Sequence, residues 1–600
     1  MRFGKYFYGM NYFFFLKFEK FFSLFSKKGC VSYKKFSKPK LNSKTNIFLN
    51  DLNRIKNEPY IRFIDESDNI LKGNVRLFDR LIKINFDDQD VWIRDYETGK
   101  TVENVFFRDV NKSIKNIDIK HIWEIGRMQY LPVLAVAYRK TKNIVYFDKI
   151  KKILSSFMDN SSYKFGPHWM NSMEVGIRLS NLLLTYEVLF DTGIFGTISS
   201  YFIPLINSHY YFIRRHREDH HGVTNNHLLT GLASEVFYIS KFKTFDRGSI
   251  KTIHYFLEEF NKQFLSDGTN YEGSSMYGLY SAIVSFLAIN SLKIRGFDTG
   301  KSLERLEKII EHIDALIQFD KTIFVFGDND SGKIFNLLPN VHISVNFVLT
   351  AKKLMLEPVR NVIEDLFIRD DFCLYKSKSS NFNFFPVGKE CVYNDYDVEF
   401  LLLNYNSGAF KLGGHQHNDL LSFQLNYKNC HFITDLGTGS YNKDISFRNM
   451  FKASQSHSSV YCGVEPYPLT NKKFTRVPEI KTVLSVDNQT KTIIGGFNHP
   501  NCGEILRKVQ LNNKEIIIDN SVSSGSGLIM FVPLYPSVKI LRASDKIVLI
   551  SENNKIEIHS NCKFNILDSL YSPRYDEYIP TKTIKFISEK QKERISIKLL

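Results

Sequence analysis

Hydrophobic positions change their period part-way along this chain. From about residue 116 to 370, apolar residues recur at three- and four-residue intervals. Ile253, Phe256, Leu257, Phe260 and Phe264 mark one helical face, and Leu179, Leu182, Leu183, Val188 and Leu189 gather near another. Comparable amphipathic blocks cover 121–141, 170–192, 225–242, 279–294, 303–318 and 340–367, joined by short connections holding Gly, Pro, Asn or Asp. There is no strict repeat, but this succession of similar helices predicts a helical array or toroid. After about 370 the period drops to two. Val398–Leu403, Leu421–Leu425, Lys514–Ile518 and Ile547–Ile550 read as strands separated by turn-forming residues, and many short strands predict an antiparallel β-sandwich. The organisation expected is therefore a basic aromatic segment (1–45), an irregular region (46–115), a helical domain (116–370) and a sandwich (371–600).

Composition narrows the partners. The formal charge of +17 over 600 residues favours polyanions: nucleic acid, an anionic membrane or an acidic polysaccharide. Zinc-finger spacing, RNP-type aromatics, a Walker motif and a GxGxxG signature are all missing, so nucleic acid is not expected. The apolar run Tyr12–Leu16 is soon interrupted by Lys17, Glu19 and Lys20. It is too short for a membrane span and lacks a cleavage site, which leaves peripheral contact with a membrane surface or, as the favoured reading, a poorly ordered or loosely docked terminus. No other stretch is expected to reach the length of a transmembrane helix. Seven cysteines, odd in number and without CxxC pairs, argue against a disulfide framework and for a reducing compartment. The expected location is cytoplasmic or at the inner membrane, with the periplasm as an alternative.

Four segments carry candidate chemistry. In Asn225-Asn226-His227 either asparagine can cap the helix that follows, and His227 reads equally as a core histidine. The segment from Asp267 to Tyr277 has a turn at Asp-Gly and a cap at Ser274 or Ser275. Tyr271, Tyr277 and Tyr280 are packing aromatics, or one of them is a proton donor at a helix start. Phe326–Gly332 resembles a calcium loop in composition but not in spacing, and reads as a polar turn. In Gly413-Gly414-His415-Gln416-His417-Asn418-Asp419 two histidines at i, i+2 share a face. His417, Asp435 and His457 would then give an N, O, N set suited to zinc, or a hydrogen-bonded His-Asp pair, with His415 left to meet substrate.

The order of these motifs resembles the heparinase II/III family of polysaccharide lyases: Asn-Asn-His, Asp-Gly-x-x-x-Glu-x-Ser-x-x-Tyr, Gly-Asp-x-Asp-Ser-Gly, then Gly-His-x-His-x-Asp followed by Asp-x-Gly. Trp123–Arg127 and Trp169–Arg178 are similar to helical segments of that family, and the resemblance covers roughly 120–470. It implies an incomplete (α/α) toroid followed by an antiparallel β-sandwich, and β-elimination on uronic-acid-containing polysaccharide. By resemblance Asn226, helped by His227, neutralises the uronate carboxylate. Tyr277 donates a proton to the leaving oxygen and can also abstract one, and His415 is the base for one C5 epimer. A tyrosine base needs nearby positive charge, for which Arg127, Arg178 and His415 are the candidates. Arg127, Arg178 and Glu272 are placed at the substrate, and His417, Asp435 and His457 on a structural Zn²⁺.

The resemblance also extends to surface-polysaccharide systems, so processing of a capsule or O-antigen is one expectation. A catalytically silent polysaccharide-binding or assembly protein is the alternative. A glycoside hydrolase would need a carboxylate pair, for which Glu235, Glu272 and Asp328 are the candidates.

Overall fold

The computed structural model describes residues 46–49, 57–219, 224–369, 381–405, 414–441, 444–470, 478–512, 514–525, 527–542 and 546–600. The basic aromatic segment 1–45 lies outside the described residues. The chain divides into two compact units. The first holds 1–261, 281–303 and 333–370, and the second holds 262–280, 304–332 and 371–600. The boundary expected at 370 is thus crossed by two shorter segments, 262–280 and 304–332, that belong with the strands.

The first unit is helical. Ser172–Leu189 is buried along its whole length and packs against Tyr130–Thr141, Ser199–Arg215 and Asn226–Phe242. Gly176 permits its close approach to Asn226–Phe242, since a Cβ there would stand 2.9 Å from Ser234 Oγ. Glu187 and Lys241 pair inside at 3.2 Å, and Glu187 also accepts the backbone N–H groups of Ile47, Phe48 and Leu49. The block expected at 121–141 is two helices, Ile119–Gly126 and Tyr130–Thr141, broken where Met128 takes a left-handed conformation (φ 57°). The block at 340–367 is likewise divided at Pro358, as a residue lacking its N–H requires. The region 46–115 is less irregular than its sequence suggests. It holds the helix Asn57–Leu71 and an antiparallel pair, Asn74–Leu77 with Arg80–Lys83.

The second unit carries the strands. Asn381–Phe385, Glu390–Asn394, Val398–Leu403, Phe423–Tyr427 and Cys430–Ile433 form a sequential antiparallel sheet. An eight-stranded sheet orders Lys539–Arg542, Lys546–Ser551, Asn554–Ser560, Lys592–Leu599, Glu515–Val522, Gly503–Asn512, Thr492–His499 and Thr482–Asp487. A four-stranded sheet joins Lys563–Tyr571, Ile579–Ser588, Leu528–Pro533 and Val460–Tyr461. Phe400, Leu402, Phe423 and Leu425 of the first sheet meet Ile516, Ile518, Ile595 and Ile597 of the second and Met530, Ile584 and Phe586 of the third in one core. Alternation produces this, as in Glu515–Val522, where every second residue is buried.

Two expectations need correction. The helix Ser275–Ile294 is long and apolar enough to cross a membrane, but 94% of its apolar window is buried, as in a core helix. Cys462 and Cys502, 40 residues apart, form a disulfide. Sequence spacing does not reveal such a pair, because Cys462 follows a strand of the four-stranded sheet while Cys502 lies in a turn of the eight-stranded one, and packing brings them together.

Candidate active site

Three segments distant in sequence are laced together in the second unit. Ser274 opens the helix Ser275–Ile294: its Oγ accepts the N–H of Tyr277 at 3.2 Å and donates to the Asp328 carbonyl at 2.6 Å. The N–H of Ser275 donates to the Phe326 carbonyl, and the N–H of Phe326 donates back to Ser275 Oγ, both at 3.2 Å. The N–H of Asp328 donates to the His415 carbonyl at 2.8 Å. The chain can pass through this junction only because residue 327 is glycine. Its φ is +63°, and a Cβ would collide with the Gly273 carbonyl oxygen and stand 2.7 Å from that of His415.

Asp328 is the hub, with no exposed surface. One carboxylate oxygen meets His417 Nε2 at 2.9 Å and the other His415 Nδ1 at 3.1 Å. The Arg448 guanidinium spans both, at 3.3 and 3.1 Å. Burial alone would raise the pKa of this carboxyl. The charge of Arg448 and the hydrogen bonds of the two histidines reverse that and hold it well below the usual range, so Asp328 is ionised. An ionised Asp328 accepts the Nδ1 proton of His415 and leaves His415 Nε2 facing Glu272 Oε2, at 3.3 Å.

The Tyr277 ring stacks on the imidazole of His415, centroids 3.6 Å apart and planes 15° from parallel. Its phenol meets the Tyr441 hydroxyl at 3.1 Å, and the Arg448 guanidinium lies 4.4 Å above the Tyr441 ring. Burial, followed by the charge of Asp330, the Tyr441 phenol and the charge of Asp328, pushes Tyr277 well above its usual pKa of 10. The phenol is therefore a neutral proton donor at physiological pH.

A second cluster adjoins the first through His417. His417, Asp435 and His457 each offer a ligand atom, all within 4.8 Å of one another and all buried. Asp435 follows the strand Cys430–Ile433 and holds His457 by accepting from its Nδ1 at 2.7 Å. Among the described residues, His417 Nδ1 and His457 Nε2 are buried without hydrogen-bond partners. Two orphaned imidazole nitrogens beside a carboxylate are a donor set that fits a metal ion. The neighbouring Ser458 carbonyl is held by the buried guanidinium of Arg507 at 2.6 Å, and Arg507 also binds Leu421 O.

Comparison with known families places the chain as a whole. Residues 35–336 match the heparinase II/III N-terminus and residues 379–598 match the heparinase II/III-like C-terminal domain. The chain belongs to the heparinase II/III family of polysaccharide lyases. No curated protein sequence matches it. Solved structures show the same fold at low identity. A crystal structure of heparinase III is 14% identical, with 94% of this chain and 88% of that one covered and a TM-score of 0.67. A mutant of the heparan sulfate lyase HepC from Pedobacter heparinus is 16% identical, with coverage of 95% and 87% and a TM-score of 0.58. The chondroitin AC lyase of Streptomyces coelicolor A3, in complex with chondroitin sulphate, is 8% identical, with 95% and 83% covered and a TM-score of 0.51. The architecture is accordingly the incomplete toroid and β-sandwich that the motif order implies.

Of the residues singled out from sequence, Tyr277, His415 and Glu272 meet in one cluster, and His417, Asp435 and His457 in the adjoining one. Asn226 and His227 lie in the first unit. Asn225 is the cap there, accepting the N–H of His227 at 3.1 Å. Asn226 is fully buried in the first turn, and His227 Nδ1 meets Glu218 at 2.8 Å. Arg127 and Arg178 are 2% and 1% exposed. Arg127 grips Glu174 through two donors and Glu124 through a third, while Arg178 donates to the carbonyls of Gly126 and His168 and to His209. Such guanidiniums tie helices together, which corrects the expectation that they bind substrate. Glu235 is likewise held by Arg217 through two bonds of 2.7 Å. Sequence reading took the Asp328 segment for a turn and missed Tyr441 and Arg448. Arg448 does leave a signal: it is the one charged side chain between Phe447 and Phe451, which stand one helical turn apart in Ile445–Lys452.

Proposed function

We propose that this lyase cleaves a uronic-acid-containing polysaccharide by β-elimination, with His415 as base and Tyr277 as acid. The observation that carries the reading is the stack of the Tyr277 phenol on the His415 imidazole, one held neutral and the other oriented by an ionised carboxylate. His415 Nε2 takes the C5 proton, and the charge of Asp328 stabilises the imidazolium that forms. The phenol of Tyr277 gives its proton to the oxygen leaving C4 as the C4–C5 double bond forms. Its raised pKa favours this donor role over that of a base. Glu272, whose Oε2 lies 3.3 Å from Nε2, would pair with the imidazolium once Nε2 has taken the proton. Asn226 and His227 are assigned to the uronate carboxylate on their motif alone, where neutral or cationic donors would stabilise the developing enolate-like charge.

The second cluster would hold Zn²⁺ through His417, Asp435 and His457. When bound, the ion supplies a fixed anchor for the segment that presents His415. The +17 charge supports an acidic polymer as partner, and processing of a surface polysaccharide such as a capsule or O-antigen is the proposed setting. The Cys462–Cys502 disulfide supports an oxidising compartment, such as the periplasm, over the cytoplasm.

The test is incubation with a panel of uronate polymers while following near-ultraviolet absorbance from the new conjugated double bond. Cleavage is expected on at least one polymer, and Tyr277→Phe should lower its rate by about 10²–10⁴-fold. Absence of the chromophore on every polymer, or chain shortening without it, refutes elimination.

A further inference from the structure

Lys452 ends the helix Ile445–Lys452 one turn after Arg448, so the two side chains leave the same side of that helix. Its backbone is fastened to the catalytic segment: the Lys452 carbonyl accepts the N–H of Asn418 at 2.9 Å, and Asn418 directly follows His417. The charges that act on its ammonium are those of Arg448, Asp328 and Asp419, all three buried. Lys452 therefore stands beside the Asp328 hub.

A lysine in the last turn of a helix ordinarily reaches into water and complements the helix dipole. Lys452 is only part-exposed. Burial, followed by repulsion from Arg448, pulls its pKa down to about 8 against the attraction of Asp328 and Asp419. At neutral pH it is still a cation. The two carboxylates near it are already held, Asp328 by Arg448 and two histidines and Asp419 by the Tyr405 hydroxyl at 2.6 Å. Among the described residues Lys452 Nζ makes no hydrogen bond and no ion pair. It is also not one of the enclosed side-chain atoms, so it can be reached from solvent. Arg127 and Arg178 are the contrast, enclosed and engaged by their own helices.

A partly desolvated cation without a counter-ion favours an anionic ligand, and the loss of water strengthens the pair that forms. A carboxylate or a sulfate ester supplies such an anion, and an ammonium takes either as a point charge. We propose that Lys452 is a substrate-binding residue that takes a carboxylate or sulfate group of the polymer beside the catalytic cluster. The proposal rests on the lyase reading for its substrate class, but not on which residue is acid and which is base.

The test is calorimetric titration of the Tyr277→Phe protein, alone and with Lys452→Met or Lys452→Arg added, using unsulfated uronate, sulfated uronate and neutral oligosaccharides. Lys452→Met should weaken acidic binding by about tenfold or more, and Lys452→Arg should retain it. Loss on the unsulfated ligand identifies the carboxylate as the bound group, and loss confined to the sulfated one identifies the sulfate. With Tyr277 intact, Lys452→Met should raise KM for double-bond formation by a larger factor than it lowers kcat. The wild-type KM should climb above pH 8 as the ammonium loses its proton, whereas that of Lys452→Arg should not. Acidic binding by Lys452→Met within about twofold of its parent overturns the proposal, as does equal loss in the Met and Arg variants with a shared fall in melting temperature. Failure of the lyase reading shows differently, as acidic binding by the parent with no chromophore from the wild type.

Discussion

Replacing Arg448 with methionine removes the charge opposite Asp328 while keeping most of the buried volume. Arg448 is 1% exposed and Asp328 fully buried, and two guanidinium nitrogens reach the carboxylate at 3.3 and 3.1 Å. Breaking a buried pair from one side costs about 3–5 kcal/mol, most of it the penalty of a stranded charge. His415 and His417 still touch the carboxylate, which puts the expected loss near the lower end, about 3 kcal/mol. For a unit of this size each kcal/mol lowers the melting temperature by about 2 °C, so Arg448→Met should melt about 6 °C below wild type in calorimetry. Initial rates of double-bond formation should fall as well, by about tenfold or more, because His415 loses the setting that orients it. Adding Asp328→Asn removes the stranded charge, so the double variant should be more stable than the two single losses added together. A melting temperature within about 1 °C of wild type, or strict additivity, would show that this pair is not the electrostatic centre of the site.

Gly327→Ala should cost at least about 2 kcal/mol and abolish activity, read by thermal melting and lyase rate, since its φ of +63° and the nearby carbonyls of Gly273 and His415 leave no room for a Cβ. His417→Ala should reduce bound metal, measured by atomic emission, and lower stability with it, and a chelator should reproduce both effects on the wild type. Asp95 gives a pH prediction. Burial raises its pKa, but hydrogen bonding to and the charge of His121, with Thr98 and the Glu97 N–H, bring it below the usual 3.8. A depressed carboxyl stabilises above its unfolded value and loses that contribution as pH falls through its folded one, so Asp95→Asn should flatten the decline in melting temperature below pH 3.8. Replacing Cys462 and Cys502 by serine, which opens a closure 40 residues apart, should cost up to about 4 kcal/mol in urea denaturation under oxidising conditions and nothing under reducing ones.

Periodicity alone marked the change from helix to strand, though not the helix Asn57–Leu71 or the strand pair that follows it. The faces of Arg247–Gln263 and Glu515–Val522 are legible because a side chain's burial there depends only on its place in a regular element. Motif order was enough to bring Tyr277, His415, His417, Asp435 and His457 forward as the residues of interest. The centre of the site was not legible. Asp328 sits in a segment whose composition says turn, Arg448 shows only as a lone charge between two phenylalanines, and Tyr441 belongs to no pattern; what defines the centre is a carboxylate shared across 120 residues of chain. Arg127 and Arg178 show the opposite failure, since a charged residue in a suggestive motif looks available until its partners are known. Local sequence sets which surfaces are apolar. Which buried charges meet is decided only when the chain closes, because a desolvated ion persists only where folding supplies its counter-ion.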